Sequence, residues 1–248
     1  MERHNFKNKP LREAIFELRW NVLDEQDHSF SLLLGRLFDK LQSEYPYYEK
    51  LANASIPLEL AQHMIQHRLR KSEKEWPLVQ IGPGIITLNF TNSYDWKTFS
   101  RSIMDLVNVI FAVKPDIKVN NLFLRYINSI EFNYSEKDIF KFLKDKMKIN
   151  AELGSSLFAG ENVSNTPKSL QLRYSFEVLK PKGFIVLSIV KGASDGKEAL
   201  IWEHSMYSNY KEPFTAQNNI FEWTCEAHGV IEKWFFEIIK GELERRFL

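Results

Sequence analysis

The chain has 248 residues, of which 44% are hydrophobic and 14% aromatic, enough to bury a large packed core. Lysine plus arginine number 33 against 32 for aspartate plus glutamate, so bulk charge does not drive the chain to nucleic acid, although a local basic patch remains open. The single cysteine, Cys225, excludes an intrachain disulfide framework and a cysteine-based zinc module.

The chain starts with a polar and charged stretch. Residues 1–10 contain no apolar run of signal-peptide length, and nowhere do eighteen apolar residues follow one another. A single cysteine also suits a reducing compartment. We therefore expect a soluble, cytoplasmic protein that does not act in a membrane.

Hydrophobic spacing predicts the elements of the first half. Apolar residues over 16–22 alternate with polar ones, which is the period of a half-buried strand. Apolar residues three and four apart predict two helices, which stop before Pro46 and Pro115. Gly82-Pro83-Gly84 between two β-branched runs is typical of a hairpin turn. The predicted order is a strand over 14–22, a helix over 28–44, strands over 62–70, 78–81 and 85–90, and a helix over 95–113.

The second half shows the same order of elements. A strand over 122–132 precedes a helix over 136–148, for which Ser135 is the predicted N-cap. Thr215 is the predicted N-cap of a long last helix, and the glycine-rich and serine-rich stretch 150–166 is the longest predicted flexible loop. The remaining predicted strands cover 170–179, 184–190 and 199–207.

A Leu-Arg-aromatic pattern opens each half, in Phe16–Asn21 and again in Phe123–Asn128. We therefore expect an α+β protein with two pseudo-repeated β-α-β-β-β-α halves, 11–114 and 117–248. Their antiparallel sheets, separate or joined, would carry helices on one face, by analogy loosely like the tandem domains of the TATA-binding-protein kind. No Ser/Gly linker separates the halves, so residues 1–248 are predicted to form a single compact unit.

Four segments resemble a sporadically distributed family of uncharacterised prokaryotic proteins of about this length. They are the P-x-x-E-A-x-F-E-L-R motif at 10–19, the Q-I-G-P-G turn at 80–84 with Leu-Asn-Phe at 88–90, the central L-R-Y-I-N strand at 124–131, and Ala227-His228 in the last helix. The family commonly has Trp where this chain has Phe90, a change that keeps an aromatic ring. The resemblance implies a place in mobile or defence-linked gene sets, and it carries over no biochemical activity.

Two arginines at matching positions of the repeat head the main polar candidate set. An arginine on a half-buried strand is ordinarily a solvated residue paired with a cross-strand carboxylate. The functional alternative places both arginines on one concave sheet surface, where guanidinium groups bind carboxylate, phosphate or acidic groups of a partner. This alternative requires both to point to the same side of the molecule. The candidate binding surface is Arg19, Arg125, Asn21, Asn128, Glu17 and Glu131.

Patterns with possible catalytic or metal chemistry are weak. His63 and His67 have H-x-x-x-H spacing, but Met64 stands where the metalloprotease motif requires glutamate. Cys225 and His228 are three residues apart on the predicted last helix, and no neighbouring group completes a catalytic or metal-binding set. His228 stays of interest because it belongs to the family resemblance. We expect no metal ion and no cofactor.

Basic residues gather around the two predicted hairpins. Lysine at hairpin tips ordinarily serves solubility, and the alternative is a basic rim that touches a phosphate backbone. The residues are Lys180, Lys182, Lys191 and Lys197 near the second hairpin and Arg68, Arg70, Lys71 and Lys74 near the first.

Three functions follow as hypotheses. The first is a non-enzymatic binding or regulatory protein that acts through a protein partner or by self-association, since no catalytic constellation accompanies the two aromatic-rich halves. The second is nucleic-acid binding by the joined sheet face. The third is an unrecognised hydrolase or nucleotide-binding enzyme, which would need a deep pocket that holds His228 with convergent carboxylates.

Overall fold

The computed structural model describes residues 6–21, 29–57, 60–91, 93–159 and 162–248. The predicted strand end at Val22 and the predicted helix start at His28 lie outside these residues. The strands are β1 (Leu11–Trp20), β2 (Tyr47–Lys50), β3 (His67–Arg70), β4 (Leu78–Gly82), β5 (Ile85–Phe90), β6 (Val119–Glu131), β7 (Gln171–Val178), β8 (Gly183–Ser194) and β9 (Lys197–Ser208). The helices are α1 (Ser29–Leu41), α2 (Trp96–Val113), α3 (Ile139–Met147), α4 (Gln217–Ile239) and α5 (Glu242–Arg245).

The nine strands form one antiparallel sheet in the order β2-β3-β4-β5-β1-β6-β9-β8-β7. The two strands that carry the repeated pattern, β1 and β6, pair with each other at its middle, with Phe16 opposite Leu124 and Ile15 opposite Arg125. The prediction of an α+β fold with antiparallel sheet is confirmed. Among the described helices, none has the length and apolar content needed to cross a membrane.

One face of the sheet is apolar because side chains alternate along each strand. Phe16 and Leu18 of β1 and Leu122 and Leu124 of β6 are fully buried on this side, where the described helices pack. We call this side the helix face. The opposite side, which carries Arg19, is called the open face.

The helix face supports two hydrophobic clusters that α4 joins. The first packs α1, α2 and the first part of α4 on β1 and β3 to β6, and the second packs α3, α5 and the end of α4 on β8 and β9. At about 1.5 Å per residue, α4 is long enough to run across both clusters. Trp223 and Ile231 belong to the first cluster, Ile239 belongs to the second, and Trp234 packs against both.

The Gly-Pro-Gly turn joins β4 to β5, as its sequence predicts. Gly84 has a φ of 72°, and a Cβ there would lie 2.6 Å from the carbonyl oxygen of Trp20. A Cβ at Gly82 would lie 1.9 Å from the carbonyl oxygen of Met64. Both glycines are thus required for the close approach of neighbouring backbone, and the turn leads into a strand rather than the helix of a phosphate-binding loop.

The predicted N-cap of α3 is wrong. The Asp138 carboxylate accepts hydrogen bonds from the backbone N–H groups of Phe140 (2.9 Å) and Lys141 (3.2 Å), so Asp138 is the cap. The Ser135 hydroxyl is instead held by Asn133 at 2.7 Å. An extra turn before the helix therefore moves its start to Ile139.

Two predictions on single elements are also wrong. The last helix starts at Gln217 after Ala216, whose side chain makes no capping bond, so Thr215 is not its cap. The predicted strand over 62–70 is confined to His67–Arg70, and the sequence patterns did not reveal β2. The other predicted elements agree with the structure to within four residues at their ends.

Candidate functional site

Arg19 and Arg125 lie on the same face of the sheet. Arg125 is directly opposite Ile15, and Ile15 and Arg19 are four residues apart on β1, so all three side chains project to the open face. The two arginines are separated by about 13 Å along the strand direction at 3.3 Å per residue. The condition that both point to one side of the molecule is met.

Arg125 is locked to a carboxylate of the neighbouring strand. Its Nε and Nη2 each donate to one carboxylate oxygen of Glu203, both at 3.0 Å, and the Ser205 hydroxyl donates to the same carboxylate. Burial raises the pKa of Glu203, but the hydrogen bonds from Arg125 and Ser205 outweigh burial and leave that pKa below its usual value. The pair therefore stays charged, with a third of the Arg125 side chain still exposed.

Arg19 has a different arrangement. Its Nε donates to Glu17 on the same strand at 2.6 Å, and its guanidinium carbon lies 4.6 Å from the centre of the Phe123 ring. Only 9% of the Glu17 side chain is exposed, against 33% of Arg19. Each arginine thus already has a carboxylate partner, and each has a third of its side chain exposed.

A hydrogen-bonded polar ladder continues the open face across the other strands of the first half. It joins five strands, from β1 through β5, β4 and β3 to β2, so its side chains satisfy one another and the surface is close to neutral. In order, the bonds are Asn89 to Glu13 at 2.8 Å, Thr87 to Asn89 at 2.6 Å, Gln80 to Thr87 at 3.3 Å, Arg68 to Gln80 at 3.2 Å and Arg68 to Glu49 at 3.1 Å.

Of the other three residues of the predicted surface, two lie at strand ends and one lies on the opposite face of the sheet. Asn21 follows the end of β1, where its backbone N–H donates to the Asn120 side chain at 3.0 Å. Glu131 ends β6 and forms an ion pair with Lys197 at 2.8 Å. Asn128 is 2% exposed and lies on the helix face, so the predicted binding surface does not include it.

Asn128 lines a cavity of about 260 Å³ on the helix face. The cavity lies between the segment before β1, the start of α2, strand β6 and the middle of α4. Aromatic rings form most of its wall, with a few polar groups among them, which is the usual composition of a small-molecule site. Its aromatic lining comprises Phe6, Tyr94, Trp96, Tyr126, His228, Phe235 and Phe236.

A chain of hydrogen-bonded side chains runs along the cavity wall. Tyr94 donates to the Tyr126 hydroxyl at 3.2 Å, and that hydroxyl lies 3.0 Å from Nδ1 of His228. On the other side of the imidazole, Nε2 of His228 lies 3.8 Å from Oε1 of Glu232. The ring of Trp96 stacks on His228 with centroids 3.7 Å apart.

Asn128 adds a hydrogen-bond acceptor to this wall. Its amide nitrogen donates to the Tyr126 carbonyl oxygen at 3.5 Å, the longest distance that still counts as a hydrogen bond. Among the described residues, its side chain makes no other hydrogen bond. A buried amide oxygen in this position favours an occupant that donates a hydrogen bond.

The cavity brings the Glu232 carboxylate near His228, with Oε1 at 3.8 Å from Nε2. Asp95 also lines it, but its carboxylate accepts from Thr98 N–H at 2.9 Å and so caps α2. No serine, threonine or cysteine is among the described lining residues. Burial raises the pKa of the Cys225 thiol, which disfavours the nucleophilic thiolate.

The two other histidines of the sequence analysis do not form a metal site. His63 has a positive φ of 62° and lies 3.2 Å from the Trp20 carbonyl oxygen, whereas His67 on β3 is bonded to the Tyr48 hydroxyl at 2.8 Å. Burial, with a smaller effect of Lys50, lowers the pKa of His67. Within the described part of the chain, no three His, Cys, Asp or Glu side chains are grouped so that they could hold a metal ion.

Lysines of the hairpins are largely paired. Lys191 lies 3.2 Å from Glu198, Lys197 is paired with Glu131, and Lys180 lies 3.0 Å from Glu226. These pairs reduce the positive field of the rim. Pairing therefore lowers the net positive charge around the second hairpin.

Sequence reasoning missed Trp96, Tyr94 and Tyr126 as cavity residues. Tyr126 belongs to the repeated pattern, but the pattern does not reveal that the tyrosine and Arg125 before it serve opposite faces of β6. No protein-family model matches the chain, and no curated protein matches it.

Proposed function

We propose that this chain is a non-enzymatic binding protein that acts through a protein partner, either another protein or a second copy, and that the open face is its main contact surface. The observation that carries the proposal is the open face itself, a broad strand surface on which no described helix packs. It presents paired charges, with a third of each arginine side chain exposed, beside an aromatic ring. Preformed charge pairs of this kind favour recognition of a surface with both signs of charge.

The same pairs disfavour nucleic acid as the partner. Phosphate binding depends on cations that can release the counterions of the phosphate backbone. On the open face, Arg19, Arg68 and Arg125 each contact a carboxylate. A phosphate would therefore have to displace an intramolecular carboxylate at each arginine.

The test exchanges the charges of one pair without removing the pair. The double variant Arg125→Glu with Glu203→Arg keeps a cross-strand ion pair but reverses the charge pattern at the centre of the face. The matched control exchanges Lys240 and Glu237, an exposed pair at the end of α4. Proteins that co-purify stoichiometrically with the chain from its native host should be lost with the first variant and kept with the control.

Retention of every co-purifying protein by both variants would contradict the proposed surface. An electrophoretic shift with DNA or RNA at low salt, which disappears as salt rises, would instead support the nucleic-acid alternative. Circular dichroism of each variant establishes that the fold is retained before binding is compared.

A second candidate function rests on the cavity. Its aromatic wall and the Asn128 acceptor support a small-molecule site, of a size below that of most drug-binding pockets. The lining provides a histidine and two carboxylates, Asp95 and Glu232, with no serine, threonine or cysteine among its described residues. Asn128→Ala should abolish any thermal stabilisation by a ligand, whereas a stabilisation unaffected by Asn128→Ala would place the ligand elsewhere.

We also propose that the two halves are structural repeats, by analogy with TATA-binding-protein-like tandem domains. The strand order supports this: from the central β1-β6 pair, β5-β4-β3 lies to one side and β9-β8-β7 to the other. Strand β2 has no counterpart. Superposition of 11–114 on 117–248 should align α1 with α3 and α2 with α4, and a mismatch of these helices would contradict the repeat.

A cytoplasmic setting in a mobile or defence-linked gene set is a further part of the proposal. The single cysteine supports the compartment, and the family resemblance supports the gene context. Neighbouring genes that vary at random among close relatives of this chain would contradict the context.

A further inference from the structure

The two edges of the sheet differ in length and exposure. Edge strand β2 has four residues, whereas edge strand β7 has eight and pairs with β8 through eight consecutive residue pairs without a bulge. Its other side has no neighbouring strand in the described part of the chain. Long, regular edges without proline or a bulge are the ones that pair with another strand.

The exposed edge of β7 has a defined set of free backbone groups. The Lys191 N–H donates to the Leu170 carbonyl oxygen at 3.0 Å, which marks 170 and 191 as a hydrogen-bonded pair. Such pairs alternate along an antiparallel ladder, so even-numbered residues of β7 bond to β8. The odd-numbered residues direct their N–H and C=O groups to the free edge; they are Gln171, Arg173, Ser175 and Glu177, all exposed.

A second copy of β7 complements this edge in one register. Two antiparallel copies must pair odd-numbered residues with odd-numbered ones, because paired side chains share a face. With Ser175 on the twofold axis, Arg173 of each copy lies opposite Glu177 of the other. The same register puts Tyr174 opposite Phe176 and Leu172 opposite Val178.

A neighbouring register does not place Arg173 opposite Glu177. With Tyr174 on the axis, Arg173 lies opposite Ser175 and Glu177 lies opposite Gln171, so neither charge meets its opposite. The register centred on Ser175 forms about six backbone hydrogen bonds across the axis. It also covers Phe176, half of whose surface is exposed although its ring packs on Trp234 at 5.5 Å.

The side chains that must pair are available. Glu177 is exposed and makes no ion pair with any described residue. Arg173 is exposed, donates to the Ser188 hydroxyl at a long 3.4 Å, and helps to lower the pKa of Glu203. Its guanidinium is thus placed on the open face at the edge, where a second strand would bring a carboxylate.

We propose that two copies of this chain pair antiparallel along β7, with Ser175 on the twofold axis, into one continuous sheet with nine strands from each copy. This inference rests on the proposed function, because it names a second copy as one partner of the binding protein. The pairing continues the open face from one subunit to the next, since a twofold axis perpendicular to the sheet keeps both open faces on the same side.

The test uses charge reversal at the two complementary positions. Arg173→Glu and Glu177→Arg each place like charges opposite one another at both pairs, and each should weaken the dimer roughly tenfold or more. An equimolar mixture of the two variants should restore dimerisation, because only the heterodimer pairs opposite charges. The double variant should dimerise alone. Sedimentation equilibrium over a concentration series measures dimerisation of the two single variants, their mixture and the double variant. Lys240→Glu is a control that should leave the dimer unchanged.

A wild-type chain that remains monomeric at the highest attainable concentration overturns the dimer. A dimer that both single variants leave intact, or that the mixture fails to restore, overturns the register. Ser175→Cys in a Cys225→Ser background should also form an intermolecular disulfide on oxidation, and failure to cross-link overturns the position of the axis.

The outcomes for the two proposals are separable. A monomeric chain that still loses a bound protein on exchange of Arg125 and Glu203 overturns the dimer and supports the open-face function. A dimer that responds to charge reversal in β7, in a protein that holds no partner through the open face, supports the dimer and contradicts that function.

Discussion

The two faces of β6 carry polar groups of opposite character. On the open face, Arg125 and Glu203 are charged, doubly hydrogen-bonded and partly exposed. On the helix face, one residue further on, the Tyr126 hydroxyl is buried and lies within hydrogen-bond distance of Tyr94 and His228. Charges need water or a close counter-charge, whereas neutral groups are satisfied in the interior by matched hydrogen bonds alone. Neighbouring residues in sequence can therefore belong to unrelated sites.

The largest expected effect on the free energy of unfolding comes from the protonation of a buried histidine on the helix face. His204 lies opposite Tyr126 in the ladder, is fully buried, and neither of its ring nitrogens has a hydrogen-bond partner among the described residues. Burial lowers its pKa to about 4, with Glu203 acting in the opposite direction. The unfolded chain therefore takes up a proton on His204 at a higher pH than the folded chain does. The contribution of His204 to the free energy of unfolding is complete above pH 6.5 and is lost as the pH falls towards 4.

Urea unfolding at a series of pH values should measure this pH dependence directly. The free energy of unfolding should fall by about 2 kcal/mol between pH 7 and pH 5 through His204, a loss that His204→Leu removes. His67, whose pKa is also lowered, leaves a smaller dependence of the same sign. A His204→Leu profile as steep as that of the wild type would contradict the assignment.

The second prediction compares the free energy of unfolding after the same substitution, tyrosine to phenylalanine, on each face of the sheet. Tyr126→Phe removes a buried hydroxyl bonded to two side chains, and should lower the free energy of unfolding by about 1.5 kcal/mol. Tyr207→Phe, on the open face of β9 where the ring packs against Phe123, should change it by less than about 0.5 kcal/mol. Denaturant midpoints of both variants measure the comparison. Equal losses would mean that the hydroxyl chain contributes nothing specific.

Alternation of side chains explains how much of this the sequence could reveal. It predicts most strands and the face on which Arg19 and Arg125 lie. It also places Asn128, three residues after Arg125, on the opposite face, so the inclusion of Asn128 in one surface with Arg125 was the error. Motif similarity aligns residues along the chain, but the period of two decides which side of the sheet they reach.

The cavity and the caps lie beyond such patterns. The cavity wall comes from four separate segments that only tertiary packing brings together, so no local spacing signals it. Strand β2 is held by pairing with β3 rather than by its own alternation, and it was missed for that reason. Before α3, Asn133 accepts hydrogen bonds from Ser135 and holds a separate turn. In the sequence this turn looks the same as a first helical turn, so the helix start was placed too early.

A third prediction concerns the ion pair of Arg125 and Glu203 on the open face. Glu203→Gln keeps the shape of the side chain but removes the charge that faces Arg125, and should lower the free energy of unfolding by about 1 kcal/mol. The difference from wild type should shrink at high salt, because the pair is partly exposed. Glu131→Gln, at the exposed pair with Lys197, is the control and should have almost no effect. A difference that does not depend on salt would contradict an electrostatic origin.

The smallest effect distinguishes the two arginines of the repeat. Arg19→Lys loses one hydrogen bond to Glu17 and the planar group over Phe123, which should lower the free energy of unfolding by about 0.5 kcal/mol. Arg125→Lys loses a two-bond contact that lysine cannot reproduce, and should lower it by about 1 kcal/mol. Denaturant midpoints at equal slope measure both. If Arg19→Lys is the more damaging of the two, the stacked guanidinium and not the cross-strand pair is the main polar contribution at the centre of the open face.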